Sequence, residues 1–209
     1  MMIDTHTMLA FFSTAIILAL SPGPDNLFVM AQAAQNGRKA GIFVTFGLST
    51  GLVGHTVAVA LGLAALVNSS AFAFTILKYI GAAYLIYLAW QAFRAGGSTA
   101  EKREVPHFSK GELYRRGIVM NLTNPKVSLF FMAFLPQFVD PAGGSVTMQF
   151  FLLGGLFILA TILVFGAISM LAGGVGERYR NSPGAQSVVN RVAAALFVGL
   201  ALKLVLTER

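Results

Sequence analysis

The sequence contains no cysteine and few charged residues. Among its 209 residues, Asp, Glu, Lys and Arg together make up 11%, less than half of the share of about 25% found in soluble domains. The absence of cysteine excludes disulfide frameworks, thiol redox relays and thiolate metal sites. Hydrophobic residues account for 56% of the chain, and the mean hydropathy is +0.73. This composition predicts an integral membrane protein without a separate soluble domain.

Six apolar stretches are long enough to cross a bilayer as helices, which takes roughly 20 residues each. The connections between them are short, except for a polar segment over 94–116. We therefore predict an all-α membrane protein with six transmembrane helices in a single transmembrane domain over 1–209. The predicted spans cover 7–34, 41–67, 72–93, 117–139, 148–172 and 188–206.

Lysine and arginine are concentrated on one side of these spans. Of the 15 basic residues, 11 lie in or at the edge of the connections after the first, third and fifth spans. This asymmetry is the positive-inside signal and not the footprint of a nucleic-acid interface. It predicts that these connections are cytoplasmic and that both termini face outwards. The 11 residues are Arg38, Lys39, Arg94, Lys102, Arg103, Lys110, Arg115, Arg116, Arg178, Arg180 and Arg191.

Two spans are interrupted near their middles by proline next to a charged residue. The first interruption reads Ser21-Pro22-Gly23-Pro24-Asp25-Asn26, and the second reads Asn121-Leu122-Thr123-Asn124-Pro125-Lys126. Proline stops a helix because it lacks an N–H group, and an ionisable side chain in a bilayer costs several kcal/mol unless it serves a site. Secondary transporters form their substrate sites from discontinuous helices of this kind. We therefore predict that helices one and four are broken near the bilayer midplane.

The two interruptions also indicate an internal repeat. A shift of 101 residues aligns Pro24-Asp25 with Pro125-Lys126. Because each half would contain three spans, an odd number, the two halves must have opposite orientations in the membrane. The sequence therefore predicts an inverted 3+3 repeat, with halves over 7–93 and 117–206 joined by a cytoplasmic linker over 94–116.

The interruptions supply the groups that a zwitterionic amino acid needs. Pro24 and Pro125 suit the first turn of a helix, so each following half-helix would direct N–H groups and its positive dipole end at the midplane. Lys126 offers a partner for a carboxylate, and Asp25 offers one for an ammonium group. The candidate helix caps are Ser21, Thr123 and Asn124. The predicted substrate-binding residues are Asp25, Asn26, Tyr84, Asn121, Asn124 and Lys126, and the helix-break residues are Ser21, Pro22, Gly23, Pro24 and Pro125.

Some of these residues also have simpler interpretations. In the simpler interpretation, Asp25 and Lys126 form an ion pair whose only role is to hold the two broken helices together. For proton coupling, Asp25 can bind either a proton or the substrate ammonium, and His55 is the second candidate because imidazole titrates near neutral pH. The alternative for His55 is a hydrogen bond to a neighbouring residue or a facing helix. Gly47 and Gly51 favour close helix packing, within the subunit or in a homodimer.

Four patches of the sequence, in this order and spacing, resemble the LysE/RhtB superfamily of amino-acid exporters. The resemblance implies six spans, a bacterial inner-membrane location, and outward transport of amino acids or close derivatives of the homoserine, threonine or neutral type. The patches are Ser21-Pro22-Gly23-Pro24-Asp25-Asn26, Asn36-Gly37-Arg38-Lys39-Ala40-Gly41, Gly81-Ala82-Ala83-Tyr84-Leu85, and Asn124-Pro125-Lys126 continuing to Phe134-Leu135-Pro136-Gln137-Phe138.

Two other functional classes, a cation transporter and a membrane enzyme, fit the sequence less well than an exporter. A cation transporter of the same architecture is the alternative, but hard cations need several carboxylates or carbonyls, and Asp25 is the only acidic residue inside a predicted span. A membrane enzyme is not expected, because the spans contain no acidic pair, no His-Glu zinc motif and no haem-ligand pair. We expect no cofactor and no metal, and expect amino acids, protons and the bilayer as partners.

Overall fold

The computed structural model describes residues 3–21, 23–63, 71–94, 107–140, 142–172 and 182–206. Pro22 and most of the predicted linker over 94–116 lie outside these described residues. Every regular element within the described ranges is helical. The α-helices are α1 (Thr5–Leu20), α2 (Pro24–Asn36), α3 (Arg38–Ala58), α4 (Ala71–Arg94), α5 (Lys110–Leu122), α6 (Pro125–Leu129), α7 (Val146–Leu171) and α8 (Pro183–Leu206).

Several helices are long and apolar enough to cross a membrane. Three pass this test alone, namely α7, α8 and the helix over Arg38–Gly62, which is α3 continued by a π-helical turn. Two bent pairs pass it jointly, α1 with α2 and α5 with Pro125–Phe138. The described residues therefore contain three candidate membrane spans, or five if each bent pair is one span.

Side-chain caps determine where several helices begin. Asp4 starts α1 because its Oδ1 accepts a hydrogen bond from the Thr7 N–H at 2.9 Å. A capping box starts α5, since Ser109 Oγ accepts from the Glu112 N–H and Glu112 Oε2 accepts from the Ser109 N–H. Helix α5 thus begins at Lys110, seven residues before the predicted span over 117–139.

The chain changes direction at both proline interruptions. The axes of α1 and α2 differ by 62°, and those of α5 and Pro125–Phe138 differ by 48°. After α6, the chain forms a π-helical turn over Phe130–Phe134 and a 3-10 turn over Leu135–Phe138. Such π turns are frequent at functional sites.

An aromatic cluster connects the two halves of the chain. Phe11 of α1 packs edge-on against Phe138, with ring centroids 5.1 Å apart. Phe157 of α7 lies 5.3 Å from Phe130 and 5.2 Å from Phe131, both in the π turn after α6. Because such ring pairs each contribute about 0.5–1.5 kcal/mol beyond their buried area, the cluster holds α1 against the segment that follows the second interruption.

Helices α3 and α5 approach each other at a pair of glycines. A Cβ atom on Gly47 would meet the Tyr114 carbonyl oxygen and would lie 2.9 Å from Gly117 Cα, and one on Gly117 would lie 2.5 Å from the Val44 carbonyl oxygen. Gly51, one turn further along, faces Asn121 in the same way. The glycines that favoured close packing therefore serve a contact within the subunit.

We expect Gly47→Ala to lower the melting temperature of the purified protein in detergent. Its methyl group would overlap backbone atoms, and overpacking of this kind costs about 1–3 kcal/mol. Gly155→Ala in α7 is the matched control, because a Cβ there meets no atom within 4 Å and alanine favours a helix. Equal melting temperatures for the two variants would contradict the close α3–α5 contact.

Candidate functional site

The two interruptions meet through the side chain of Lys126. Its Nζ donates hydrogen bonds to the carbonyl oxygens of Leu18 at 3.2 Å and Ser21 at 3.1 Å. These carbonyls belong to the end of α1, where no further helical turn follows to bond them. Lys126 is buried. The ammonium group of the second interruption thus binds the backbone groups released by the first.

The half-helices after the interruptions begin in different ways. Pro24 and Pro125 each occupy the first turn of a helix. Asn124 caps α6, since its Oδ1 accepts a hydrogen bond from the Lys126 N–H at 3.0 Å. Helix α2 has Gly23 at its cap position and no side-chain cap.

Of the three candidate caps, only Asn124 acts as one. Thr123 lies at the end of α5, and its hydroxyl donates to the Val119 carbonyl at 2.8 Å. Ser21 lies too far before Pro24 to cap α2, and its contribution to the site is its backbone carbonyl. The expectation for Ser21 and Thr123 was therefore wrong, because the proline sets the first helical residue and thereby the position of the cap.

Four buried polar atoms around the interruptions have no hydrogen-bond partner among the described residues. They are Asp25 Oδ1, Asn26 Oδ1, Asn121 Oδ1 and Asn124 Nδ2, although the Asn124 amide lies close enough to the Asp25 carboxylate to interact with it. The other end of the Asn26 amide is fixed, because its Nδ2 donates to the Ala19 carbonyl at 2.6 Å. An unpartnered buried polar group costs about 1–3 kcal/mol, so a cluster of them indicates groups that are kept available for a ligand.

Asp25 and Lys126 line the same small cavity. Its volume is about 10 Å³, roughly the space that one water molecule needs. Three of the predicted substrate-binding residues line it, namely Asp25, Asn121 and Lys126. Of the remaining lining residues, Thr161 is a polar residue buried within the apolar helix α7. We call this space the central cavity; in this conformation it is too small for an amino acid.

Tyr84 does not line the central cavity. Its half-buried ring packs against the apolar core, with the ring centroid 5.8 Å from that of Tyr87. Thr161, by contrast, lines the cavity although the sequence reasoning did not select it. The signal for Thr161 was an isolated hydroxyl in the middle of the long apolar run of α7.

His55 lies beside the central cavity without lining it. Its Nε2 is 3.2 Å from the carbonyl oxygen of Asn121 on the facing helix α5, and its ring lies 5.5 Å from that of Phe131. This contact corresponds to the alternative of a hydrogen bond to a facing helix. The Asp25 carboxylate lies within electrostatic range of both His55 and Lys126. Both hydrogen bonds of the Lys126 ammonium, however, go to backbone carbonyls.

Comparison with known proteins assigns the chain to a family. The profile of the LysE type translocators matches residues 16–208. The chain belongs to the LysE type translocator family. This confirms the resemblance read from the four sequence patches.

The relatives of this translocator cover almost its whole length. A homoserine/homoserine lactone efflux protein of Salmonella typhimurium is 34% identical over 189 residues, which is 90% of this chain and 91% of the relative. An uncharacterized membrane protein of Vibrio cholerae is 34% identical over 201 residues, 96% of this chain and 97% of the relative. No solved structure matches the chain. The translocator is therefore a multi-pass membrane protein of a transport family.

We expect Asn124→Ala to destabilise the folded protein by about 1 kcal/mol, the usual cost of losing a side-chain cap. Thr123→Ala is the matched control, because Thr123 is exposed and its hydroxyl bonds only to carbonyls of its own helix, so its loss should change stability by less than about 0.5 kcal/mol. Thermal unfolding in detergent measures both variants. A larger loss for Thr123→Ala would contradict the assignment of the cap.

Proposed function

We propose that this translocator exports amino acids or close derivatives, of the homoserine, threonine or neutral type, across the bacterial inner membrane by proton antiport. The observation that carries the proposal is the central cavity, where Asp25 and Lys126 meet between two interrupted helices. Charged groups inside a membrane protein mark substrate or proton pathways. An efflux protein for homoserine and its lactone among the relatives supports the same direction and substrate class.

The polar atoms at the site are complementary to a zwitterion. Three acceptors without partners, Asp25 Oδ1, Asn26 Oδ1 and Asn121 Oδ1, match the three N–H groups of a substrate ammonium. Two donors, Lys126 Nζ and Asn124 Nδ2, match a substrate carboxylate. The two protein charges sum to zero, as do those of the substrate. We therefore propose that the site grips the amino-acid backbone.

We further propose six spans in an inverted repeat. Each bent pair forms one interrupted span, α4 is the span added to the five candidates, and both termini are periplasmic. The packing pattern supports this arrangement. Helix α3 of the first half packs on α5 of the second, while the corresponding α7 of the second half packs on α1 of the first. The equivalent helices α4 and α8, and α3 and α7, also pack on each other. Both relations are those expected of two halves related by a twofold axis.

Proton coupling would follow from competition at Asp25. The carboxylate binds either the substrate ammonium or a proton, so loading with one excludes the other. A neutral zwitterion moving outwards in exchange for an inward proton transfers one elementary charge, worth about 2.3 kcal/mol per 100 mV of membrane potential. His55 is the second candidate for the coupling group, because it lies within electrostatic range of Asp25.

Nothing in the described residues favours the alternative of a cation transporter. Within those residues, no group of three or more His, Asp or Glu side chains is close enough to hold a metal ion. A zwitterion therefore fits the described groups better than a metal cation.

Removal of either buried charge should strongly reduce uphill export of amino acids that carry a free carboxylate. We expect Asp25→Asn and Lys126→Met each to reduce uncoupler-sensitive efflux of L-threonine and L-homoserine from preloaded cells at least tenfold, since a charge-assisted hydrogen bond contributes about 1.5–3 kcal/mol. Mass spectrometry of the external medium measures the efflux. Lys78→Met is the matched control, because Lys78 lies on α4 and its Nζ donates to the Val205 carbonyl.

These efflux measurements can contradict the proposal in three ways. Asp25→Asn with unchanged proton-coupled efflux would exclude Asp25 as the coupling group. Equal losses in Lys126→Met and Lys78→Met would mean that Lys126 has no special role. No selective release of any amino acid by the native chain would exclude the exporter itself.

Homoserine lactone tests the role of Lys126 separately, because the lactone keeps the ammonium group but has no free carboxylate. We expect Lys126→Met to raise the KM for L-homoserine at least tenfold and to change that for the lactone less than threefold. Asp25→Asn should weaken transport of both. Radiolabelled efflux from everted vesicles provides the KM values, and equal effects of Lys126→Met on the two substrates would contradict recognition of the carboxylate.

A further inference from the structure

A second, larger cavity lies directly against the first interruption. Its volume is about 550 Å³, within the range of about 300–1,000 Å³ that is typical of small-molecule sites. We call it the vestibule. It lies between the first interruption, α4 and α8, and it is lined by Ser21, Gly23, Tyr87, Leu88, Trp90, Gln91, Ala92, Arg94 and Phe197.

One face of α4 supplies the polar groups of the vestibule. Tyr87, Gln91 and Arg94 follow each other at intervals of four and three residues, which places them on one side of a helix. The Gln91 amide donates a hydrogen bond to the Tyr87 hydroxyl. The Arg94 guanidinium lies over the Trp90 ring, 4.6 Å from its centroid. A guanidinium can bind a carboxylate with two parallel hydrogen bonds.

Only a thin wall separates the vestibule from Lys126. Ser21 and Gly23 line the vestibule, and Lys126 Nζ, which belongs to a residue that does not line it, donates to the Ser21 carbonyl at 3.1 Å. A Cβ atom on Gly23 would lie 3.1 Å from the same Nζ. A ligand in the vestibule would therefore lie next to the ammonium group of the central site.

We propose that the vestibule is a loading site, in which Arg94 binds the carboxylate of the amino acid before the substrate reaches Lys126. This inference rests on the proposed function. The central cavity, at about 10 Å³, has no room for an amino acid in this conformation, whereas the vestibule has. Gln91 and Tyr87 add hydrogen-bonding groups beside Arg94, and Trp90 supplies an apolar surface for the substrate's side chain.

The position of the vestibule fits loading from the cytoplasm. Arg94 ends α4 and begins the connection with the largest number of basic residues, which the positive-inside signal assigns to the cytoplasmic face. A substrate carboxylate arriving from that side meets Arg94 first and Lys126 second. The two cations would thus bind the same substrate group in succession.

The chain contains a built-in probe of this site, because Trp90 is its only tryptophan. The experiment is a titration of the purified full-length protein with L-homoserine, L-threonine and homoserine lactone, followed by tryptophan fluorescence. We expect saturable responses to the two amino acids and at least a tenfold higher half-saturating concentration for the lactone, which lacks the carboxylate.

The variants test the role of Arg94 in the vestibule. Arg94→Gln should raise the half-saturating concentration at least tenfold, with Arg94→Lys between it and the native chain because lysine binds a carboxylate through one point charge. Arg116→Gln is the matched control, since the Arg116 guanidinium also stacks on an aromatic ring, 3.8 Å from the Phe108 centroid, away from the vestibule.

The outcomes distinguish a failure of the loading site from a failure of the exporter. Efflux by the native chain without any response of Trp90 to either amino acid would overturn the loading site alone. An equal shift in Arg94→Gln and Arg116→Gln would also overturn it. Absence of efflux of every amino acid would overturn the exporter, and the loading site with it.

Discussion

The structure depends on the hydrogen bonds from the Lys126 ammonium to the carbonyl oxygens of Leu18 and Ser21. An interrupted helix leaves carbonyls that bilayer lipid cannot satisfy, and each such group costs several kcal/mol. The second interruption supplies the missing donors from 105 or more residues away in the chain. Asp25 stabilises the start of the next half-helix, since its negative charge lies in the first turn of α2, where the helix dipole favours a negative charge.

This arrangement explains how a closed site can remain ready for a ligand. The ammonium group is held by neutral carbonyls and not by a carboxylate, so a substrate carboxylate would be a stronger partner than the groups it displaces. Asp25 Oδ1, Asn26 Oδ1 and Asn121 Oδ1 have no hydrogen-bond partner among the described residues. Under the proposed function, the free energy lost by leaving them unpaired is recovered when substrate binds. Substrate binding would also weaken the link between α1 and α6, which is a direct route from ligand recognition to helix movement.

Local features were predictable from the sequence, whereas contacts distant in the chain were not. Pro24 and Pro125 fix where α2 and α6 begin, because proline acts through its own ring and its missing N–H. Because Pro125 is the first residue of α6, the cap position falls on Asn124 and not on Thr123, which is one residue earlier. The carbonyl partners of Lys126 and the cavity position of Thr161 depend on how helices pack, which no local pattern encodes. Tyr84 was selected for its residue type alone, and packing against the core places it elsewhere.

Under the proposed function, the opposite charges of the two interruptions also limit the substrate. If both interruptions carried the same charge, two like charges would lie close together in a medium of low dielectric constant, which is strongly unfavourable. With one of each sign, a substrate with both charges leaves no buried charge unpaired. A substrate carrying only an ammonium group, such as the lactone, would leave Lys126 with the backbone carbonyls as its partners. A second ammonium would also lack a carboxylate at the central cavity, because Asp25 is the only acidic residue lining it. If the protein exports amino acids as proposed, the same electrostatics that stabilises the two interruptions therefore favours neutral amino acids over dibasic ones.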